Sequence, residues 1–144
     1  MTPLKNEPRM DCLLGKTFKQ VELVGTGGPW MFRLSDGVCL SVGSCWQIVA
    51  DGRVKLANAD HGQRYGLSET MNAISQATAI LAGRSIEGII LDGASADLTI
   101  ELNDGVQVRT FNDSSGYEAW DVAGPDGPMF VVQGGGNFVV FDKD

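Results

Sequence analysis

The sequence predicts an α+β protein, mostly antiparallel β, in which an internally duplicated β-meander forms a sandwich or partly open barrel with one main helix at about 68–82. Three observations predict it. Shifted by 68 residues, the chain matches itself without a gap. Within each copy, apolar residues alternate at period two between Asp-Gly turns. Between the copies, one segment carries helical spacing instead.

The first copy opens at Gly15-Lys16-Thr17-Phe18, which falls on Gly83-Arg84-Ser85-Ile86. Leu23 and Gly25 fall on Leu91 and Gly93. Trp30 to Val38 then falls on Leu98 to Val106. Trp30, Phe32 and Leu34 alternate before Ser35-Asp36-Gly37, and Val38, Leu40 and Val42 follow on the same face. In the second copy Leu98, Ile100 and Leu102 precede Asn103-Asp104-Gly105, with Val106, Val108 and Thr110 beyond. Each glycine suits the positive φ of a three-residue hairpin loop. The pattern pairs Leu34 with Val38 and Leu102 with Val106. Further strands are expected near 17–24, 45–50, 53–57, 85–92, 117–123, 128–133 and 137–141, the last two joined by Gly134-Gly135-Gly136. Trp46-Gln47-Ile48 resembles Trp120-Asp121-Val122 after six extra residues in the second copy, and Asp51-Gly52 resembles Asp126-Gly127. Both tryptophans are expected in the core.

The helix is expected to start at a Ser68 cap and to bury Leu67, Met71, Ile74, Thr78 and Leu81, with alanines adding propensity and Gly83 ending it. A shorter helical piece over Glu7–Leu14 is its expected counterpart. Each meander has one apolar face, so the two are expected to face each other about a pseudo-two-fold axis. The expected organisation is a single domain over 1–144, with repeats at about 15–57 and 83–133. The 43% apolar and 20% charged composition fits one core. Glycine at 19 positions is nearly twice the usual share of about 7%, as a turn-rich chain requires.

Net charge is −7 and uneven. Residues 1–57 carry seven basic and five acidic side chains; residues 58–144 carry four and thirteen. An acidic half repels phosphate, so nucleic acid is not an expected partner, and a basic protein is. No apolar run is long enough for a membrane helix, and Met1–Arg9 has no hydrophobic signal core. Three cysteines, Cys12, Cys39 and Cys45, fit reduced, buried thiols and a cytoplasmic location.

No catalytic constellation emerges. The only histidine, His61, sits in Ala59-Asp60-His61-Gly62 and reads as an exposed loop residue. One histidine and scattered cysteines make no zinc pattern, and no cofactor is expected. Val24-Gly25-Thr26-Gly27-Gly28-Pro29 lacks the Lys-Ser/Thr ending and following helix of a phosphate loop. Asp92, Asp97, Glu101, Asp104, Glu118 and Asp121 are candidates for paired-carboxylate chemistry, but turn geometry accounts for Asp104. Glu101 and its equivalent Arg33 are expected to lie close enough to pair. The asymmetric feature is the longer second connection, Phe111 to Ala119. Functional residues concentrate in such loops. Phe111, Asp113, Tyr117, Glu118 and Asp121 are the candidate partner-binding residues, with inward-folded aromatics as the competing reading.

Tyr117-Glu118-Ala119-Trp120, Gly124-Pro125-Asp126-Gly127 and Gly134-Gly135-Gly136 before an apolar strand resemble a group of small bacterial proteins of unknown function, some of them similar to immunity proteins. The resemblance extends over most of 13–141. It brings no catalytic residues and implies a non-enzymatic protein that neutralises a toxin. The expected function is therefore a binding protein that uses an acidic surface against a basic toxin domain. The alternatives are a small-molecule module with a pocket near Trp30, Phe32 and Ile100, or a carboxylate-based enzyme.

Overall fold

The computed structural model describes residues 10–141. Eleven strands make two antiparallel sheets that form an open-sided sandwich rather than a closed barrel. The first half contributes β1 (Phe18–Leu23), β2 (Trp30–Leu34), β3 (Cys39–Val42), β4 (Cys45–Ala50) and β5 (Arg53–Ala57). After α1 (Ala73–Leu81) come β6 (Ile86–Leu91), β7 (Leu98–Leu102), β8 (Gln107–Phe111), β9 (Trp120–Gly124), β10 (Gly127–Gln133) and β11 (Asn137–Val140).

The strand order corrects the expectation that each repeat makes its own sheet. One sheet runs β1-β2-β3-β9-β10-β11 and the other β5-β4-β8-β7-β6. Each half builds a three-strand meander, then crosses over and adds its next strands to the other half's sheet. The crossover satisfies the outer edge of β3 with β9 and that of β8 with β4, edges a self-contained meander leaves unpaired.

Residues 68 apart make equivalent bonds. Phe18 N–H donates to Arg84 O at 2.9 Å, and Ile86 N–H to Lys16 O at 2.9 Å. Gly15 N–H donates to Ile86 O, and Gly83 N–H to Phe18 O. Such reciprocity is what a two-fold axis between like surfaces produces, and it passes beside the Thr17–Ser85 bridge. Both meanders shift register at the same place, between Phe18 and Gln20 and between Ile86 and Gly88. Both hairpins put an aspartate in the left-handed region, Asp36 at φ 61° and Asp104 at φ 63°. Leu34 N–H donates to Val38 O at 2.8 Å and Leu102 N–H to Val106 O at 2.7 Å, the expected pairs.

The core lies between the sheets. Phe32 and Ile100 occupy equivalent places in it, Phe32 between Val21 and Leu40 and Ile100 between Ile89 and Val108. Trp46 and Trp120 are both buried, as expected. Trp46 stands edge-to-face with Trp30 and Phe32 at 5.0 and 5.4 Å, and Trp120 with Phe130 at 6.0 Å.

The helix is shorter than the sequence implied. Its cap is Asn72, not Ser68, because Asn72 Oδ1 accepts from the Ile74 and Ser75 N–H groups. Residues 62–71 form a turn instead, closed by Gly62 N–H to Met71 O and Met71 N–H to Gln63 O, and Leu67 is exposed. The fully buried stripe is Ala73, Ala77 and Leu81, with Ile74 and Thr78 half-buried beside it. The small side chains let the helix sit close to β1, where Thr78 Oγ1 accepts the Val21 N–H at 2.9 Å. Within the expected counterpart, Met10–Leu13 is a 3-10 turn; Glu7–Arg9 lies outside the described residues. Only Cys39 of the three cysteines is buried, and Cys12 is exposed because the 3-10 turn leaves Met10 and Leu13 as the inward pair.

Candidate functional site

Alternation along the antiparallel strands sends the long connections to one end of the sandwich. The 24–29 loop, the 43–44 crossover, the 58–72 segment, the 92–97 loop, the 112–119 crossover and the 134–136 turn all gather there. They carry six acidic residues and one basic residue, Arg64. The opposite end holds the short turns.

The two crossovers are bonded to each other. Gly43 and Ser44 N–H both donate to Ala119 O, at 2.9 and 3.2 Å. The Ser44 and Thr110 hydroxyls, both buried, lie 2.9 Å apart. The long second crossover is held as firmly. Asn112 N–H donates to Asp97 Oδ1 at 2.8 Å, and Ser114 Oγ accepts from the Gly116 and Tyr117 N–H groups. Gly135 N–H donates to Ser114 O at 3.0 Å, tying in the last turn. A Cβ on Gly134 would sit 2.4 Å from Gly116 N, so this contact demands glycine.

Two adjoining clefts open between these segments. The first, about 470 Å³, runs between Gly27–Pro29 on one side and Tyr117–Asp121 on the other. The second, about 320 Å³, is lined by Leu23, Trp30, Cys45, Asn58, His61 and Asp113, among others. They share Gly27, Gly28 and Gly43.

The structure thus brings three of the five candidate residues to one cleft. Tyr117, 84% exposed, stands with Glu118 and Asp121 along the first. Asp113 lines the second, where its carboxylate accepts the Cys45 N–H at 3.3 Å. Phe111 lines neither; it is half-buried at the end of β8, paired with Cys45. The aromatics therefore divide, Tyr117 outward and Phe111 partly inward. Burial, reinforced by the nearby Glu118 carboxylate, pushes the Asp121 carboxyl above its ordinary range. Burial, with Asp113 next, likewise pushes the Cys45 thiol up, the reverse of what a nucleophile needs.

Of the other candidate acids, Glu101 lies within β7 and the remaining three are engaged in loop and turn geometry. Asp92 Oδ1 accepts from Ala94 and Ser95 N–H, Asp97 from Asn112, and Asp104 pairs with Arg84 at 3.3 Å. Arg33 does not meet Glu101. It pairs with Glu22 at 3.1 Å in its own sheet, because the strands of one meander lie closer than the two meanders do. His61 corrects another expectation. It is half-buried, its ring edge-to-face with Trp30 at 5.5 Å, and its Nδ1 accepts the Ala73 N–H at 3.1 Å. Asp60 does not orient it, since its carboxylate accepts from Ala57 N–H and the Tyr65 hydroxyl.

Sequence reasoning named Trp30 for a pocket but missed Asn58, His61 and the 24–29 loop as cleft residues. The 68-residue shift held the signal: it aligns 24–29 with 92–97, which places both loops at the crossover end. Among the described residues, no three His, Cys, Asp or Glu side chains cluster so as to hold a metal ion, and no helix is long and apolar enough to cross a membrane.

Residues 30–142 match the model of a family of unknown function, DUF6188. The chain belongs to that family. The DUF6188 match takes in β2 to β11, both crossovers and every residue of the first cleft except Gly27, Gly28 and Pro29. No curated protein and no solved structure matches the chain.

Proposed function

We propose that this DUF6188 member is a non-enzymatic binding protein that holds a basic partner at the crossover end of its sandwich. The observation that carries the reading is the first cleft, where an exposed Tyr117 stands beside Glu118 and a carboxyl, Asp121, that burial makes costly to ionise. Exposed aromatics beside acids are the composition of a contact surface for cations. The surrounding loops, six acids to one base, steer a basic surface toward it. Their bonding to one another presents the surface already ordered, which lowers the entropy cost of binding.

In its more specific form the reading is an immunity protein of the bacterial cytoplasm that blocks a basic toxin domain. The resemblance over 13–141 supports that form, as does the engagement of Asp92, Asp97 and Asp104 in loops and turns. Of the residues that would line the alternative internal pocket, Phe32 and Ile100 are packed in the core and only Trp30 reaches a cleft.

The test is calorimetric titration of the purified chain with a basic toxin domain, sought first in the product of the neighbouring gene, at rising salt. Binding is expected to be tighter than micromolar, to weaken with salt, and to weaken at least about tenfold in Glu118→Lys with Asp121→Lys. Binding that is indifferent to both salt and the double substitution overturns the proposal.

A further inference from the structure

Trp46 and Trp120 hold equivalent places in the two halves, each 1% exposed, but their indoles fare differently. Trp120 Nε1–H donates to Ala96 O at 2.9 Å. Trp46 Nε1–H is buried and has no acceptor. A buried donor without a partner is rare and costs free energy, so it calls for an explanation.

The two-fold equivalence shows where the missing acceptor belongs. Residue 28 is the counterpart of residue 96, and the loops that hold them share their bonds. Gly28 N–H donates to Val24 O as Ala96 N–H does to Asp92 O, and Val24 N–H to Pro29 O as Asp92 N–H does to Asp97 O. They differ in where the left-handed residue falls, at Gly25 (φ 63°) in the first loop and at Ala96 in the second. Ala96 is left-handed at φ 67° and its carbonyl meets the indole; Gly28 is not left-handed, and its carbonyl does not. The place of the Ala96 carbonyl therefore falls beside Gly28, which lines both clefts.

Trp46 lies behind that wall, and two donors line the second cleft itself. Asn58 Oδ1 is taken by the Trp46 N–H, which leaves its Nδ2 hydrogens free. His61 Nδ1 accepts from Ala73, so the ring proton is on Nε2. Donors thus gather in the second cleft, beside an Asp113 carboxylate that accepts the Cys45 N–H, while Glu118 and Asp121 line the first.

We propose that the second cleft takes a main-chain carbonyl oxygen of an extended basic peptide segment, which accepts from Trp46 Nε1–H, His61 Nε2–H and Asn58 Nδ2–H, while the segment's basic side chain lies along Glu118 and Asp121. This rests on the acidic-cleft reading above and adds the chemical class of the occupant. The 24–29 loop, glycine at 25, 27 and 28, is the wall that shifts to admit the carbonyl to Trp46.

The probe is acetyl-Gly-Arg-Gly-amide, titrated into the full chain while the indole N–H and backbone amide resonances are followed by NMR. Trp46→Phe and Trp120→Phe assign the indole signals. The Trp46 indole is expected to move downfield and exchange more slowly while that of Trp120 stays put. Trp46→Phe is expected to weaken the peptide about tenfold. If Trp46→Phe does not fold, the wild-type resonance decides alone. Shifts at Glu118 and Asp121 with a static Trp46 indole overturn this inference and leave the acidic-cleft reading standing. An indole already slow to exchange in the free chain overturns it as well, because a trapped water then supplies the acceptor. No shift at either place overturns both.

Discussion

Lys16 pairs with Asp36 at 2.6 Å at one end of the sandwich as Arg84 pairs with Asp104 at 3.3 Å, and Thr17 N–H finds Ser35 Oγ as Ser85 N–H finds Asn103 Oδ1. At the opposite end the 24–29 and 92–97 loops share their backbone bonds, but the crossovers do not match. One crossover passes between the sheets through Gly43 and Ser44 alone; the other spends 112–119 on the same step. One tryptophan has its carbonyl and the other does not. The difference teaches where the chain is free to vary. At the turn end each half completes the other's hydrogen bonds, so a change on one side strands a group on the other. At the crossover end the connections only need to reach, and their surplus length is free to form clefts.

The largest expected effect comes from forcing one end to resemble the other. Gly134-Gly135-Gly136 makes the same turn as Ser35-Asp36-Gly37, with its middle residue at positive φ. At the turn end a side chain at the first position is tolerated. At the crossover end a Cβ on Gly134 meets backbone at 2.4 Å. Gly134→Ser is therefore expected to cost about 3 kcal/mol or more in urea denaturation, since backbone on both sides cannot yield cheaply. A cost near zero would show that the two ends are not packed as differently as the distances say.

Next is the tryptophan pair. Trp46→Phe and Trp120→Phe remove the same atoms from equally buried sites, so their difference isolates the indole bond. Trp120→Phe strands the Ala96 carbonyl, whereas Trp46→Phe removes a donor that had no partner. Trp120→Phe is expected to be the more damaging by about 1–2 kcal/mol. Equal losses would mean that Trp46 is already satisfied.

How much of this was legible beforehand follows from the same contrast. Strand positions, both Asp-Gly hairpins and the buried tryptophans could be read because period-two burial and positive-φ turns are local demands on sequence. The exchange of β4 and β9 between sheets could not be read: β3 pairs with β9 across about eighty residues, and alternation says which face is buried but not which strand lies alongside. The helix start failed because Ser68 and Asn72 both satisfy the capping preference, and only the fold of 62–71 chooses between them. The second crossover showed as an insertion, and that exposed Tyr117, Glu118 and Asp121. Phe111 belongs to the strand before the insertion begins, so it is held by the sheet rather than offered to a partner. His61 and Asn58 reach the clefts through tertiary contacts with Ala73 and Trp46 that no spacing announces.

A smaller effect separates the matched glycines of the turn end. Gly37 and Gly105 both sit at φ 73°. A methyl group on either is strained by about 1 kcal/mol. Only at Gly37 does it also meet a neighbour, Pro125 Cβ at 3.1 Å; at Gly105 it meets nothing within 4 Å. Gly37→Ala is expected to lower the denaturation midpoint more than Gly105→Ala, and the reverse order would mean that the two hairpins are not equivalent.

The smallest effect concerns Asp121, and it depends on pH. Its carboxyl is raised first by burial and then by Glu118, so the folded state binds the proton more tightly than the unfolded chain does. Below the ordinary carboxylate range both states are protonated and the residue costs nothing. As pH climbs through the raised value, the buried charge forms and stability contributed by the neutral form is lost. Asp121→Asn keeps the shape without the charge. The variant is therefore expected to melt above the wild type at neutral pH, with the gap closing as the solution is acidified. Glu118→Gln removes only the second cause and is expected to recover a smaller part of the gap. Both gains belong to the free chain: under the proposed binding a basic group seated on the two carboxylates supplies the compensation, so the wild type is expected to gain more from it than either variant does. A melting gap for Asp121→Asn that is the same in acid as at neutrality would place its cause outside the charge, and the acidic cleft would lose the electrostatic cost that a basic partner relieves.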